Sequence, residues 1–144
     1  MAVDTAPASG PAALGGATDP VAAAVALTVR RAVLLAAGDP DALAEIEVVG
    51  ASAHTADLAL LADLAEAGVR IQGLAADVVS GRLVDPGAMK PAVRARVEVR
   101  SSLTAHRRVT VDGATSAEVP AQPTRTVVLM LAWTTDGWRV ADVT

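Results

Sequence analysis

Residues 92–103 read AVRARVEVRSSL, and this stretch decides the fold class. Small or aliphatic side chains alternate along it with charged or polar ones, a period of two that is typical of a strand with one buried and one solvated face. Two hairpin signals follow, Asp112-Gly113 and Asp136-Gly137, each flanked by alternating apolar runs. The second half of the chain is therefore predicted to be an antiparallel meander.

The first half has the longer period of helices. A first helix is predicted over residues 20–38, because Asp19 and Pro20 form a start signal, valines recur every fourth residue and a glycine ends the run. The same Asp-Pro signal predicts a short helix over about 40–48, and a third helix is predicted over 52–68. One face of the third helix carries Leu58, Leu61 and Leu64.

Residues 69–84, VRIQGLAADVVSGRLV, connect the helices to the alternating stretch. They are predicted to form one long strand that is bent or bulged near Gly73 and Gly81. The sequence Asp85-Pro86-Gly87 is the predicted turn that follows this strand.

Helices followed by an antiparallel meander predict an α+β domain, with three N-terminal helices packed on a curved, mostly antiparallel sheet of four to six strands. Residues 1–18 are rich in Ala, Gly, Pro and Ser without a period, so they are predicted to be a flexible linker or tail. The folded domain is then expected to comprise residues 19–144.

Trp133 and Trp138, on either side of the second hairpin turn, are the only aromatic residues of the chain. If they pair across the TTDG turn, the two rings lie on the same face of the sheet and close enough to touch. The face rich in Leu and Trp is the expected core side, so the tryptophans either close the core or line a ligand pocket. The first interpretation is preferred.

The composition excludes several classes of function. The chain has no cysteine, which removes disulfides, thiolate nucleophiles and cysteine-based metal sites. Residues 1–89 carry four arginines against eleven acidic residues, whereas residues 90–144 carry eight basic residues against five acidic ones. This balance, with so few aromatics, is not that of a nucleic-acid-binding protein.

The longest apolar run is interrupted at its middle by Arg30 and Arg31, so we expect no membrane span. The amino terminus also lacks the order of a signal peptide. A soluble domain is expected, either cytoplasmic or an extracytoplasmic domain whose anchor lies upstream.

Three stretches carry a family resemblance: GDPDALAEI at 38–46, ADLALLADLAEAGVRIQGL at 56–74 and GWRVADV at 137–143. With the order of elements over roughly residues 20–144, they resemble the NTF2-like (SnoaL-like) superfamily, and more narrowly uncharacterised domains of high-G+C bacteria. The resemblance implies a cone-shaped α+β fold. It implies no single activity, because the superfamily contains isomerases, dehydratases and binding modules.

Enzymes of that superfamily place Asp, His or Tyr inside the cone as general acids and bases. This chain has no Tyr, and its candidates are His54, Asp57, Asp77 and His106. For His54 and Asp57 a solvated helix start is the preferred interpretation, since a carboxylate there favours the helix dipole. Asp77 points inward by strand parity, or outward if a bulge reverses the strand.

Basic residues also cluster around the alternating strand. They would meet an acidic partner or a phosphate if they share one sheet face, although the solvated face of an ordinary strand is the preferred interpretation. This candidate basic patch comprises Arg94, Arg96, Arg100, Arg107 and Arg108.

The sequence contains no glycine-rich phosphate loop and no paired metal-ligand spacing, so neither a cofactor nor a metal is expected. Two functions stay open. We favour a non-catalytic interaction or small-ligand-binding module, an accessory domain that forms a homodimer through its sheet or binds an unknown protein or small apolar ligand. The alternative is a small isomerase or dehydratase with Asp77 or His106 as its base.

Overall fold

A computed structural model describes residues 19–84 and 94–144 of the chain. The helical part begins at Asp19, whose side chain accepts the Val21 N–H at 2.9 Å, and Pro20 occupies the first turn. These contacts and the left-handed Gly38 confirm the ends of the first predicted helix. The helical elements are α1 (Pro20–Ala37), a 3-10 helix (Pro40–Glu45) and α2 (Ser52–Glu66).

The buried face of α1 is not the stripe of regularly spaced valines. Val29 and Val33 are 43% and 47% exposed. A four-residue repeat gains about 40° per step on a helix of 3.6 residues per turn, so the later valines rotate away from the sheet. The side chains that α1 buries are Ala23, Ala24, Leu27, Ala32, Leu34 and Leu35.

Seven strands are described in residues 69–84 and 94–144. They are β1 (Val69–Gln72), β2 (Ala76–Leu83), β3 (Arg94–Leu103), β4 (His106–Thr110), β5 (Thr115–Val119), β6 (Gln122–Thr134) and β7 (Gly137–Val143). They form a four-stranded antiparallel sheet, in the order β2-β3-β6-β7, and a three-stranded antiparallel sheet, in the order β1-β4-β5. The α+β class is confirmed, whereas the expectation of one sheet of four to six strands was wrong.

The division into two sheets occurs at Gly73, where the single predicted strand breaks into β1 and β2. Gly73 has a φ of 89°, a conformation that a residue with a side chain rarely adopts. The Thr104 hydroxyl accepts the Ala75 N–H and donates to the Gly73 carbonyl oxygen, both at 2.9 Å. These two hydrogen bonds fix the bend at Gly73, after which β1 pairs with β4 and β2 pairs with β3. The linker at 1–18 and the turn at Asp85-Pro86-Gly87 lie outside the described residues.

The alternation in β3 is confirmed: Ala95, Val97 and Val99 are buried in the core that α1 and α2 cover. Their side chains lie on the inner face of the four-stranded sheet. Both hairpins also form, β4–β5 around Asp112-Gly113 and β6–β7 around Asp136-Gly137.

Trp133 pairs with Trp138 across the second turn, and the two ring centroids lie 5.1 Å apart in a T-shaped contact at 76°. Their contact confirms that the rings share a face. Trp138 is 4% exposed and belongs to the core, against which the partly buried Trp133 packs. The pair therefore closes the core between the sheet and α2.

Candidate functional site

A cluster of four ionisable side chains lies between the two helices and the segment 46–48, which connects the 3-10 helix to α2. We call this the polar cluster: Arg31 from α1, Glu47 from the segment, and His54 and Asp57 from α2. Glu47, His54 and Asp57 are 2%, 8% and 5% exposed. The cluster therefore reaches solvent chiefly through Arg31, whose side chain is 43% exposed.

Arg31 and Asp57 form a two-pronged ion pair. The Nε and Nη2 atoms of Arg31 donate to Oδ2 and Oδ1 of Asp57, both at 2.7 Å. Burial alone would raise the pKa of Asp57, but hydrogen bonds from Arg31 and Glu47 and the charge of Arg31 outweigh it and lower the pKa. Asp57 is thus the ionised acid of the cluster at neutral pH.

Glu47 has the opposite protonation state. Burial, followed by its hydrogen bond and charge contact with Asp57, raises the pKa of Glu47 to about 9. In that contact the neutral carboxyl of Glu47 is the donor and the Asp57 carboxylate is the acceptor. No described group donates a hydrogen bond to Glu47 Oε1, which is buried.

His54 fixes the loop before α2 rather than facing solvent. Its Nδ1 accepts the Gly50 N–H at 3.1 Å, so the neutral ring carries its proton on Nε2. The expectation of a solvated helix start for His54 and Asp57 was wrong, because an arginine of α1 lies across from this turn of α2 and holds it in the interior.

The sequence reasoning missed Arg31 and Glu47 as members of this cluster. A signal was present for Arg31, because an arginine in a helix with a buried apolar side must find a carboxylate or reach water. Its neighbour Arg30 pairs instead with an exposed acid, Glu45, at 3.1 Å. Glu47 gave no comparable local signal.

Asp77 and His106, the candidate bases, are not brought together. Asp77 is exposed on β2, opposite Ser102 of β3. The bulge in β2 lies after it, between Val78 and Ser80, so the break at Gly73 rather than a bulge sets its direction. His106 begins β4 in the other sheet, where its Nδ1 lies 2.9 Å from the Thr104 carbonyl oxygen.

The five arginines of the predicted basic patch also divide between the sheets. Arg94, Arg96 and Arg100 are exposed on the face of β3 opposite to its buried residues. We call this side of the four-stranded sheet the outer sheet face. Arg107 and Arg108 lie on β4 of the three-stranded sheet, and Arg107 donates from Nε to Gln72 Oε1 at 2.9 Å.

The outer sheet face combines positive charge with apolar surface. Opposite the three arginines, β6 presents Ala132 to Arg94, Met130 to Arg96 and Thr126 to Arg100. The one acid of β3, Glu98, is bound by Arg82 of β2 through two contacts of 2.8 and 3.1 Å. On this face β3 therefore carries three arginines and one acid, beside a row of apolar side chains of β6 formed by Val128, Met130 and Ala132.

Within residues 19–84 and 94–144, no group of three or more histidine and acidic side chains is arranged to hold a metal ion. The helix α1 is long and apolar enough, by length and composition alone, to cross a membrane. In this fold its buried side chains belong to the core.

No protein-family model matches the chain. No curated protein matches it either. Among solved structures, the fold is similar to the crystal structure of the intermembrane space region of the chloroplast protein ARC6, with a TM-score of 0.57 and 17% sequence identity. The match covers 83% of this chain and 88% of that chain, so the chain shares the α+β fold of that region.

Proposed function

We propose that this domain is a non-catalytic protein-interaction module, which binds an acidic segment of a partner protein on its outer sheet face. The observation that carries the proposal is the exposure of Arg94, Arg96 and Arg100 on one face, beside the row of apolar side chains of β6. Interfaces are enriched in arginine and methionine, which contribute charge-assisted hydrogen bonds and apolar contact area.

The spacing of the arginines favours an extended ligand. Arg94 and Arg96 are two residues apart on one strand, a separation of roughly 6.6 Å along the sheet. Acidic side chains at alternate positions of an extended peptide have the same repeat, so successive carboxylates could each meet a guanidinium. The side chains between them would then point away from the sheet, because successive side chains of an extended peptide face opposite sides.

Catalysis is the less well supported alternative. The polar cluster contains two acids with shifted pKa values, Glu47 and Asp57. Asp57, however, already accepts hydrogen bonds from Arg31 and Glu47, which occupy its carboxylate. Glu47 is 2% exposed, which leaves a substrate little access to its carboxyl group. The other candidate bases, Asp77 and His106, lie in different sheets.

We further propose that the domain is a cone-shaped member of the NTF2-like superfamily and an accessory part of a larger or membrane-anchored protein outside the cytoplasm. Support for the compartment comes from the likeness of its fold to a region of the chloroplast intermembrane space. The composition of residues 1–18, which resembles a linker, agrees with attachment to another segment.

A peptide titration tests the acidic ligand. A fluorescent peptide of alternating Glu and Val is titrated with the wild-type protein, with the triple variant R94Q/R96Q/R100Q and with R70Q/R107Q/R108Q, which removes the same charge from the other sheet. We expect the first triple to weaken binding by about tenfold or more, and the control triple to change it by less than about twofold. Binding should also weaken as salt is raised.

Three results would contradict the proposal. Equal losses in the two triple variants would mean attraction by net charge alone. If the wild type did not bind the peptide, an acidic segment would not be the ligand of the outer sheet face. Light scattering gives the third result. If the wild type is a dimer and only R94Q/R96Q/R100Q is a monomer, a second copy of this chain occupies the outer sheet face.

A further inference from the structure

The segment 46–48 lies along the edge strand β7 as a short parallel bridge. The Val140 N–H donates to the Ile46 carbonyl oxygen at 2.8 Å, and the Val48 N–H donates to the Val140 carbonyl oxygen at 2.9 Å. The Ile46 side chain, which is 1% exposed, also anchors the first residue of the segment in the core. Neither the hydrogen bonds nor this apolar contact depends on pH, so any pH dependence of docking lies with an ionisable side chain of the segment.

Glu47 is that ionisable residue, because its buried side chain inserts from the middle of the segment into the polar cluster. Arg31 faces it from α1, Asp57 faces it from α2 with His54 on the preceding turn, and β7 contributes its backbone at Val140. The segment's neighbouring acid, Glu45, points outward to Arg30. Glu47 is thus the buried ionisable group of the segment, and it adds a pH-dependent contact to the apolar anchor of Ile46.

The charges of the cluster balance only while Glu47 is neutral. Arg31 and Asp57 then form a closed pair of opposite charges. An ionised Glu47 would add a second carboxylate in contact with Asp57, with one partly exposed guanidinium to offset both. Its buried Oε1 already lacks a donor among the described residues, so the new charge would be poorly solvated.

We infer that the segment 46–48 is a proton-dependent latch, which stays docked on β7 while the Glu47 carboxyl keeps its proton and leaves the strand when that proton is lost. Release would free the backbone N–H and carbonyl oxygen of Val140 at the outer edge of β7, and open backbone groups of this kind accept an extended segment by strand addition. The latch does not rest on the proposed binding at the outer sheet face.

The pH dependence has a defined direction. Docking raises the pKa of Glu47 to about 9, whereas the ordinary value of 4.5 applies once the side chain is in water. Between these values the docked form holds one proton more than the released form. The equilibrium constant for release therefore rises with pH, by up to about tenfold per pH unit.

Hydrogen exchange of individual backbone amides tests the latch in the intact chain. The amides of Val48 and Val140 report on the bridge, and the amide of Val97 at the centre of the four-stranded sheet reports on global unfolding. From about pH 6 to pH 8 we expect the protection factor of Val48 to fall by up to about a hundredfold in the wild type. Its exchange should be faster than that of Val97 and unaffected by low urea, as local opening requires.

Two variants and one control identify Glu47 as the cause. Glu47→Gln keeps the shape and loses the proton, so its Val48 protection should not change with pH. Asp57→Asn removes the competing carboxylate and leaves Arg31 to pair with Glu47, so it should also retain protection at pH 8. Glu45→Gln, which changes an exposed acid two residues away, should behave as the wild type.

The latch is overturned by any of three outcomes. The first is a Val48 protection factor that does not depend on pH in the wild type. The second is the same pH dependence in the wild type and Glu47→Gln. The third is that the Val48 and Val97 amides exchange at the same rate and that both rates rise with urea, which would mean that Val48 exchanges only by global unfolding.

Discussion

Arg31 and Arg30 are adjacent in sequence and similarly exposed, at 43% and 39% of their side chains, but they bind acids in opposite environments. Arg31 turns toward α2 and binds Asp57, whose side chain is only 6% exposed, whereas the pair of Arg30 with Glu45 lies at the surface. A buried carboxylate that loses its partner keeps the full cost of its desolvation, but a surface acid is solvated by water. The two arginines should therefore differ widely in their contribution to stability.

We expect Arg31→Met to lower the free energy of unfolding by about 3–5 kcal/mol, because it leaves the charge of Asp57 buried without its cation. Arg30→Met is the matched control and should cost less than about 1 kcal/mol. Urea denaturation of both variants at neutral pH measures the difference. Equal costs would show that Asp57 does not depend on the arginine of α1.

The elements differ in how far local sequence determines them. The ends of α1 and the two hairpin turns are marked by residues next to them, such as Asp19 and Gly38, and these predictions were confirmed. The break between β1 and β2 was not predicted, because the bend at Gly73 is fixed by Thr104, which is 31 residues away. Short-range patterns do not contain that contact.

The tryptophan hairpin allows a comparison between two similar side chains. Trp138 is 4% exposed in the core, whereas Trp133 is only partly buried against it. We expect Trp138→Ala to lower the free energy of unfolding by about 3–5 kcal/mol, the range for truncation of a buried aromatic residue. Trp133→Ala should destabilise by a smaller amount, since its ring leaves a more open space.

Thermal and urea unfolding of the two variants give the order of these costs. Met130→Ala, on the outer face of the same hairpin, controls for truncation of a large side chain outside the core. A larger loss of unfolding free energy for Trp133→Ala than for Trp138→Ala would contradict the deeper burial of Trp138.

At the scale of the whole molecule, periodicity predicts the α+β class but not the polar cluster. The change from helical to strand period along the chain was sufficient for the class. The cluster needs Arg31, Glu47 and Asp57 to meet from three separate segments, and each residue alone looks like an ordinary surface charge. Its protonation depends on burial, which exists only after the fold has formed.

The cluster also gives the folded protein a characteristic dependence of stability on pH. The folded pKa of Glu47, about 9, lies above its ordinary 4.5, so its contribution is complete below about pH 4.5 and is lost as pH rises toward 9. The folded pKa of Asp57 lies below its ordinary 3.8, so its contribution is present above that value and is lost in stronger acid. Stability should therefore be greatest near pH 4–5.

Glu47→Gln should remove the alkaline part of this profile. In the wild type we expect the free energy of unfolding to fall between about pH 5 and pH 8, at a rate of at most about 1.4 kcal/mol per pH unit. That is a large fraction of the roughly 5–15 kcal/mol typical of a domain. The Gln amide cannot ionise and can still donate to Asp57, so the variant should be flat over this range and more stable than the wild type at pH 8. Urea unfolding at three pH values measures both slopes, with Glu45→Gln expected to follow the wild type; parallel slopes for the wild type and Glu47→Gln would mean that Glu47 is already ionised in the folded protein.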